Sequence, residues 1–222
     1  MKYYINNFTY RRCRTTQNQA YALKHLSNKW MIPYQEEYLN INNIFGRNAD
    51  TVLEIGFGMG EATEEIALSR KNENFIGIET FRPGIGSLLN KIEKSNIKNL
   101  RIIQHNAIEV IKNMIPRESL SGVHIYFPDP WPKVRHQKRR LIQESFISLI
   151  STRICKNGYI HCATDWEDYA NQMLQVLSKE PLLTNLGIDC KNRSHVRPCT
   201  KFEKRGIELG HKISDLIFKR IF

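Results

Sequence analysis

Short apolar runs alternate with amphipathic stretches along most of the chain, and this alternation limits the folds open to it. The apolar runs lie between turn residues at 51–56, 74–79, 100–104, 122–127 and 159–164. Between them, apolar residues recur at three- and four-residue steps, which predicts helices at 61–69, 84–95, 107–114, 139–153 and 167–178. Strands separated by such helices form right-handed βαβ units. The pattern therefore predicts an α/β fold with a doubly wound, mostly parallel sheet.

The two ends of the chain differ from this middle region. Residues 1–35 contain several Lys and Arg but no Asp or Glu, and we predict a basic N-terminal arm over 1–46 with one helix near 17–27. A single domain then occupies 47–222. The tail at 213–222 alternates like a strand, which predicts an antiparallel strand at the edge of the sheet.

Charge and cysteine content indicate the partners and the compartment of the chain. The formal net charge of +11 over 222 residues favours an anionic partner such as nucleic acid. No apolar run approaches the ~20 residues of a membrane-spanning helix, and no signal-peptide core follows Met1. We therefore expect a cytoplasmic protein with no membrane partner. The five cysteines have neither CxxC nor metal spacing, which predicts reduced thiols and no metal site.

A glycine-rich turn follows the first predicted strand. Gly56, Gly58 and Gly60 lack side chains, so a ligand can approach the backbone closely. Glu79 follows at the distance of a carboxylate that binds ribose hydroxyls, which also fits a nicotinamide enzyme. However, Glu61 stands where the dinucleotide fingerprint has its third glycine, and its charge would repel a pyrophosphate. The turn alone is also compatible with a simple strand–helix connection.

Further polar residues are expected at the same edge of the sheet. Glu54 places a carboxylate inside the first strand, which suits a cationic ligand with an amino group, such as S-adenosylmethionine. The amide oxygen of Asn106, after the third strand, can accept a hydrogen bond from an adenine amino group. Asp129 and Asp165 follow the fourth and fifth strands. Because ligands of open parallel sheets bind at the carboxyl ends of strands, we expect these residues to converge.

A proline-rich acidic segment lies after the fourth predicted strand, Phe127-Pro128-Asp129-Pro130-Trp131-Pro132-Lys133. The two prolines restrict the backbone around Asp129, so its carboxylate is a rigid hydrogen-bond acceptor. Trp131 can stack on a base, and the cationic run that follows can bind phosphates. The segment predicts a nucleobase site, although Asp129 would also suit an ordinary turn.

Four segments resemble those of the bacterial tRNA (guanine-N7)-methyltransferases, namely LEIGFGMGEAT, FPDPWPKVRHQKRR, ATDWEDYA and TKFEKRGIELGH. The similarity runs from about Thr51 to the C-terminus, in the family's order. It implies a class I, Rossmann-like methyltransferase domain over 47–222, with a C-terminal antiparallel strand. It also implies methyl transfer from S-adenosylmethionine to N7 of a guanine in the variable loop of tRNA.

The resemblance further implies roles for single residues. Asp129 matches the catalytic aspartate, which also lies beside the cofactor. The other cofactor-binding residues would be Glu54, Gly56, Gly58, Gly60, Glu79 and Asn106, where the family usually has Asp. Substrate-binding residues would be Lys133, Asp165, Thr200, Lys201, Phe202 and Glu203. RNA-contacting residues would be Arg135, His136, Gln137, Lys138, Arg139 and Arg140.

Other interpretations of these residues stay open at this point. Asp165 also suits the N-cap of the following helix, and residues 200–203 have the form of a capping box. The chain could instead methylate an exocyclic base amine in RNA, or bind RNA without catalysis around a vestigial cofactor pocket. With tRNA as partner, we expect a monomer and leave a dimer open.

Overall fold

The computed structural model describes residues 14–187 and 197–222. The strands are β1 (Thr51–Ile55), β2 (Asn74–Ile78), β3 (Leu100–Ile103), β4 (Leu120–Tyr126), β5 (Ile154–Thr164), β6 (Leu183–Asn185) and β7 (Ser214–Arg220). They form one seven-stranded sheet in the order β3-β2-β1-β4-β5-β7-β6. Neighbouring strands from β3 to β5 in this order are parallel, whereas β7 is antiparallel to both β5 and β6. The predicted fold class is confirmed.

The position of the C-terminal strand corrects one prediction. β7 is antiparallel, as expected, but it lies inside the sheet, because β6 pairs with its outer side from Leu183 to Asn185. β6 has no counterpart among the predicted strands. A strand of three residues is too short to show an alternating pattern, so the tail was wrongly placed at the edge.

Helices cover both faces of the sheet. They are α4 (Glu61–Ser69), α5 (Arg82–Lys94), α6 (Ala107–Asn113), α7 (Glu144–Ser151), α8 (Glu167–Lys179) and α9 (Lys201–Glu208). Successive strand residues point to opposite faces, so Val52 packs with α4 and α5 while Leu53 packs with α6, α7 and α8. This explains why β1 is buried throughout. No helix in the described ranges combines the length and apolarity needed to cross a bilayer.

The N-terminal region contains α1 (Gln17–His25), α2 (Ser27–Trp30) and α3 (Ile41–Phe45). Residues 1–13 of the predicted arm lie outside the described residues. From α1 onward the segment packs against the domain, with Ala22 fully buried. The backbone of Gln19 lies so close to Gly86 of α5 that an added Cβ would come within 2.7 Å of its carbonyl oxygen. Ile32 donates a backbone hydrogen bond to Ile102 at 2.8 Å, which covers the outer side of β3.

Candidate active site

The glycine loop between β1 and α4 is held by the side chain of Glu79. One carboxylate oxygen accepts the backbone N–H of Gly58 at 2.9 Å, and the other accepts those of Thr80 at 2.7 Å and Phe81 at 3.0 Å. Three such bonds fix the loop relative to the end of β2. The loop itself requires positive φ angles of 78°, 57° and 78° at Gly56, Gly58 and Gly60.

The space around the loop is closed on one side and open on the other. A Cβ on Gly84 of α5 would lie 2.0 Å from the carbonyl oxygen of Gly58, and one on Gly60 would lie 2.8 Å from Leu88. A Cβ on Gly56 or Gly58 would meet nothing within 4 Å. The packed side therefore fixes the loop, while the open side exposes backbone to a ligand.

Glu54 is a buried carboxylate in β1, directly before the glycine loop, and is 5% exposed. Burial, together with the negative charge of Glu79, raises the pKa of Glu54 to about 7. A cationic ligand in the open space would favour the ionised form and relieve this cost. The chemistry of the two carboxylates thus fits a ligand that carries an ammonium and a sulfonium.

Asn106 lies at the N-terminus of α6, at the end of β3. Its side-chain oxygen accepts the backbone N–H of Ile108 at 2.8 Å, so it is the N-cap of that helix. The amide therefore has a structural role that the sequence analysis did not assign to it. Its contact with an adenine amino group stays a prediction.

The loop after β4 presents Asp129 at the surface. Two residues before and two residues after it, Phe127 and Trp131 adopt φ angles of 50° and 45°. These angles lie in the left-handed region, which residues other than glycine rarely occupy. Phe127 is fixed by a backbone hydrogen bond to Ala163 at 2.8 Å. Backbone strain of this kind is typical of functional sites, where the surrounding structure maintains it.

A 3-10 helix at Val134–Arg139 carries most of the predicted RNA-contacting residues. Lys133, Arg135 and Lys138 are exposed. The guanidinium of Arg139 lies 5.1 Å from the centre of the Trp131 ring, and His136 meets the same ring edge-on at 5.8 Å. Gln137 donates to Asp168 at 3.1 Å. The exposed cations beside an aromatic ring suit a nucleic acid surface.

Arg140 differs from its neighbours in this run, because its side chain is only 1% exposed. It donates to the carbonyl oxygen of Pro130 at 2.8 Å, to Gln172 at 2.6 Å and to Asp168 at 2.5 Å. Its guanidinium also lies over Tyr169. The prediction that Arg140 contacts RNA is therefore corrected. Arg140 braces the Asp129 loop against α8. Lys138, Arg139 and Arg140 are adjacent and all basic, so the local sequence does not indicate which of them is buried.

Residues 200–203 begin α9, and two of them have structural partners. Thr200 is the N-cap and accepts the backbone N–H of Glu203 at 3.1 Å, which confirms the capping interpretation for Thr200. The carboxylate of Glu203 is buried and binds Arg197 at 2.5 Å. The reciprocal bond of a capping box is thus replaced by an ion pair.

The other two residues of this segment connect the two ends of the site. Lys201 forms an ion pair with Glu61 of α4 at 3.1 Å, and the exposed ring of Phe202 stacks on Phe127 with centroids 6.4 Å apart. The start of α9 therefore reaches from the helix after the glycine loop to the loop of Asp129. The two loops lie on one face of the molecule.

Asp165 lies at the end of β5 and contacts the C-terminal part of the chain. Its carboxylate pairs with Nδ1 of His211 at 3.2 Å. Asp165 also lies close to α9, because a Cβ added to Gly206 would be 3.0 Å from the Cβ of Asp165. Trp166 is the N-cap of α8, and its backbone N–H donates to Thr164 at 3.2 Å. The alternative that Asp165 caps this helix is therefore wrong. His211 was missed because it is distant in sequence.

The structure also bears on the predictions about metal sites and cysteine thiols. Among residues 14–187 and 197–222, no group of His, Cys, Asp and Glu side chains could hold a metal ion. Cys155, Cys162 and Cys199 are free thiols, and burial raises the pKa of Cys162 to about 12. Cys13 and Cys190 lie outside the described residues.

The chain is similar to known proteins over nearly its whole length. A family model described as a putative methyltransferase matches residues 48–216. The tRNA (guanine-N(7)-)-methyltransferase of Bordetella pertussis is 56% identical over 217 residues, which cover 98% of this chain and 85% of the relative. The protein of the same name from Burkholderia lata is 48% identical over 216 residues, covering 97% and 85%.

Solved structures of more distant proteins share the fold. The 16S rRNA methyltransferase KamB has a TM-score of 0.63 at 10% identity, over 87% of this chain and 99% of that chain. The aminoglycoside resistance methyltransferase NpmB1 has a TM-score of 0.56 at 12% identity, over 85% and 95%. The fold is thus that of class I methyltransferases. Because the Bordetella and Burkholderia proteins share about half of their residues with it over nearly its whole length, the chain belongs to the tRNA (guanine-N7)-methyltransferase family.

Proposed function

We infer that this chain is an enzyme that transfers a methyl group from S-adenosylmethionine to N7 of a guanine in tRNA. One observation supports this most directly. An acidic, open glycine loop and the strained loop of Asp129 lie on one face, and α9 contacts both sides through Lys201 and Phe202. A site for a cationic donor is therefore next to an acceptor that suits a purine.

The cofactor residues act by charge and by backbone position. When bound, S-adenosylmethionine supplies a methyl group on a positively charged sulfur. Glu54 offers a carboxylate toward its cationic end, and the open backbone at Gly56 and Gly58 leaves room beside it. Glu79 maintains the loop through its three backbone bonds. We propose that it also faces the ribose, as the family resemblance implies.

Asp129 is assigned to orientation and electrostatics rather than to proton removal. Guanine N7 has a free lone pair, so no proton has to leave before it attacks the methyl carbon. The Watson–Crick edge of guanine carries a ring N–H and an amino group, and a carboxylate can accept both. Transfer moves positive charge onto the purine, which the fixed negative charge of Asp129 stabilises. Alignment of the reacting atoms supplies much of the remaining rate.

The tRNA backbone is proposed to bind along the 3-10 helix. Lys133, Arg135 and Lys138 are exposed there, and Arg139 is held by Trp131. We further propose that the target guanine lies in the variable loop, that the enzyme is a cytoplasmic monomer, and that Asp165 and residues 200–203 line the guanine site. Light scattering of the purified protein would test the oligomeric state.

The decisive experiment incubates the chain with labelled S-adenosylmethionine and unmodified tRNA, followed by digestion to nucleosides. We expect the label in N7-methylguanosine, mapped to the variable loop by fragment analysis. Label in a nucleoside methylated on an exocyclic amine would replace this function by the alternative enzyme. Cofactor binding without any turnover would indicate a binding protein with a vestigial pocket.

A further inference from the structure

Arg197 is a buried arginine that joins two distant parts of the chain. Its side chain is 2% exposed. Nε donates to one oxygen of Asp215 at 2.8 Å, and a terminal nitrogen donates to the other at 3.2 Å. The second terminal nitrogen donates to Glu203 at 2.5 Å. Arg197 therefore links β7 to the first turn of α9 through a planar, two-sided set of bonds.

The guanidinium of Arg197 also contacts the base of the Asp129 loop. Its central carbon lies 5.4 Å from the centre of the Tyr126 ring and 5.3 Å from that of Phe127. Phe127 is the residue with a φ of 50° that directs the chain into Pro128 and Asp129. A cation over an aromatic ring is attracted by the negative face of the ring. The contact therefore helps to maintain the strained backbone conformation of Phe127.

The carboxylate of Asp215 is itself fixed from a second direction. His161 of β5 bonds it at 2.8 Å and, through its other ring nitrogen, the hydroxyl of Tyr126 at 3.2 Å. Burial alone would raise the pKa of Asp215, but the bonds from His161 and Arg197 lower it to about 2. Asp215 is therefore ionised at neutral pH, and its charge keeps the guanidinium in place.

A buried arginine can also serve the fold alone, by satisfying buried backbone groups and linking elements. Arg220 is such a residue, because it donates to the carbonyl oxygen of Ile154 at the start of β5 and to the largely exposed carboxylate of Glu118, at the end of the strands away from the candidate site. Arg197 differs in what it touches. Its partners are Phe127, two residues before Asp129, and Glu203, next to the Phe202 ring that stacks on Phe127.

We propose that Arg197 is a positioning residue for guanine methylation, acting through Phe127 and Glu203 to hold the Asp129 loop and the start of α9 in their working arrangement. The proposal rests on the proposed function. It assigns no contact between Arg197 and the guanine or the cofactor. A lysine cannot replace it, because an ammonium lacks the planar fork that binds two carboxylates while covering a ring.

The test compares Arg197→Lys with Arg220→Lys, which changes an equally buried arginine of β7 away from the site. Arg197→Lys should lower kcat for tRNA methylation by roughly 10- to 100-fold, as expected from a small misplacement of reacting groups. Binding of S-adenosylmethionine without tRNA, measured by calorimetry, should match the native protein. Arg220→Lys should retain the native kcat even where its melting temperature falls. Equal kcat values for the two variants would overturn the proposal.

Phe127→Leu provides a second route if Arg197→Lys does not fold. It removes the ring under the guanidinium, so it should reproduce the loss of kcat with unchanged cofactor binding, and a native kcat would overturn the proposal. Where both variants fold, their combined loss should be less than the product of the single losses. A native chain that does not methylate tRNA would refute the proposed function itself. An active native chain with a fully active Arg197→Lys refutes only the positioning role.

Discussion

The two ends of the site are constructed in opposite ways. At the glycine loop, Glu54 is buried in β1 and Glu79 is fixed by three backbone N–H groups. In the loop after β4, Asp129 is exposed between two residues with strained φ angles, Phe127 and Trp131. The proposed donor site is thus rigid because burial and backbone hydrogen bonds fix it, whereas the proposed acceptor loop is strained and is held against α8 by Arg140. This difference suits the proposed ligands, because a small cofactor can bind among buried groups, whereas a folded RNA needs a group that projects toward it.

Replacing Asp129 tests the exposed end and has the largest expected effect. Asp129→Ala removes both the acceptor for the guanine edge and the charge that offsets the developing purine cation. We expect kcat to fall by roughly 10²- to 10³-fold, the range for loss of one preorganised electrostatic group. Asp129→Asn keeps one acceptor oxygen and should lose less. A variant that retains most of the native turnover would remove Asp129 from the mechanism.

Glu54→Gln tests the buried end through the pH dependence of cofactor binding. Burial raises the pKa of Glu54 to about 7, so the ionised form that attracts a cation increases between pH 6 and pH 8. The native Kd for S-adenosylmethionine should fall roughly tenfold over this range. The Kd of Glu54→Gln should be higher and independent of pH. Glu64→Gln is the control. Partial burial alone would raise the pKa of Glu64, but its ion pair with Lys91 lowers the pKa below the usual value. A native Kd that does not change with pH would contradict the assignment.

The same pKa shift predicts a stability effect in the absence of ligand. The pKa of Glu54 is raised from 4.5 in the unfolded reference to about 7. The folded state therefore binds the proton more tightly, and this stabilisation is lost as the pH rises through about 7. Glu54→Gln should be more stable than the native chain at pH 8, by about 1 to 3 kcal/mol, and close to it at pH 5. Chemical unfolding at the two pH values measures the difference, and equal curves would refute it.

The basic run divides into residues that face solvent and one that does not. Arg135→Gln and Lys138→Gln should each reduce the slope of log K against log salt for tRNA binding by about 0.7 to 0.9. Arg140→Gln should leave the slope unchanged and lower the melting temperature, because it removes bonds to Pro130, Gln172 and Asp168. Filter binding at several salt concentrations measures the slopes. A flattened slope for Arg140→Gln would mean that this side chain leaves its buried position in the complex.

The fold could be predicted, and the general position of the candidate site proposed, because both depend on local patterns. Alternating apolar runs specify strands, and parallel strands bring Glu79 and Asp129 to one edge of the sheet. The failures concern tertiary contacts. Arg139 and Arg140 have the same local sequence environment, yet only Arg140 meets α8. The roles of Arg197 and His211 depend on partners that are distant along the chain. No pattern within a single segment contains this information.

Asn106→Asp has the smallest expected effect and tests how closely the pocket follows the family. Asp and Asn are equally good N-caps, and a negative charge at the N-terminus of α6 is favourable, so the bond to Ile108 should persist. A carboxylate would also give charge assistance to a hydrogen bond from the adenine amino group. We therefore expect the cofactor Kd to fall by about two- to fivefold, corresponding to roughly 0.5 to 1 kcal/mol. Weaker binding would show instead that the site is adapted to the neutral amide of Asn106.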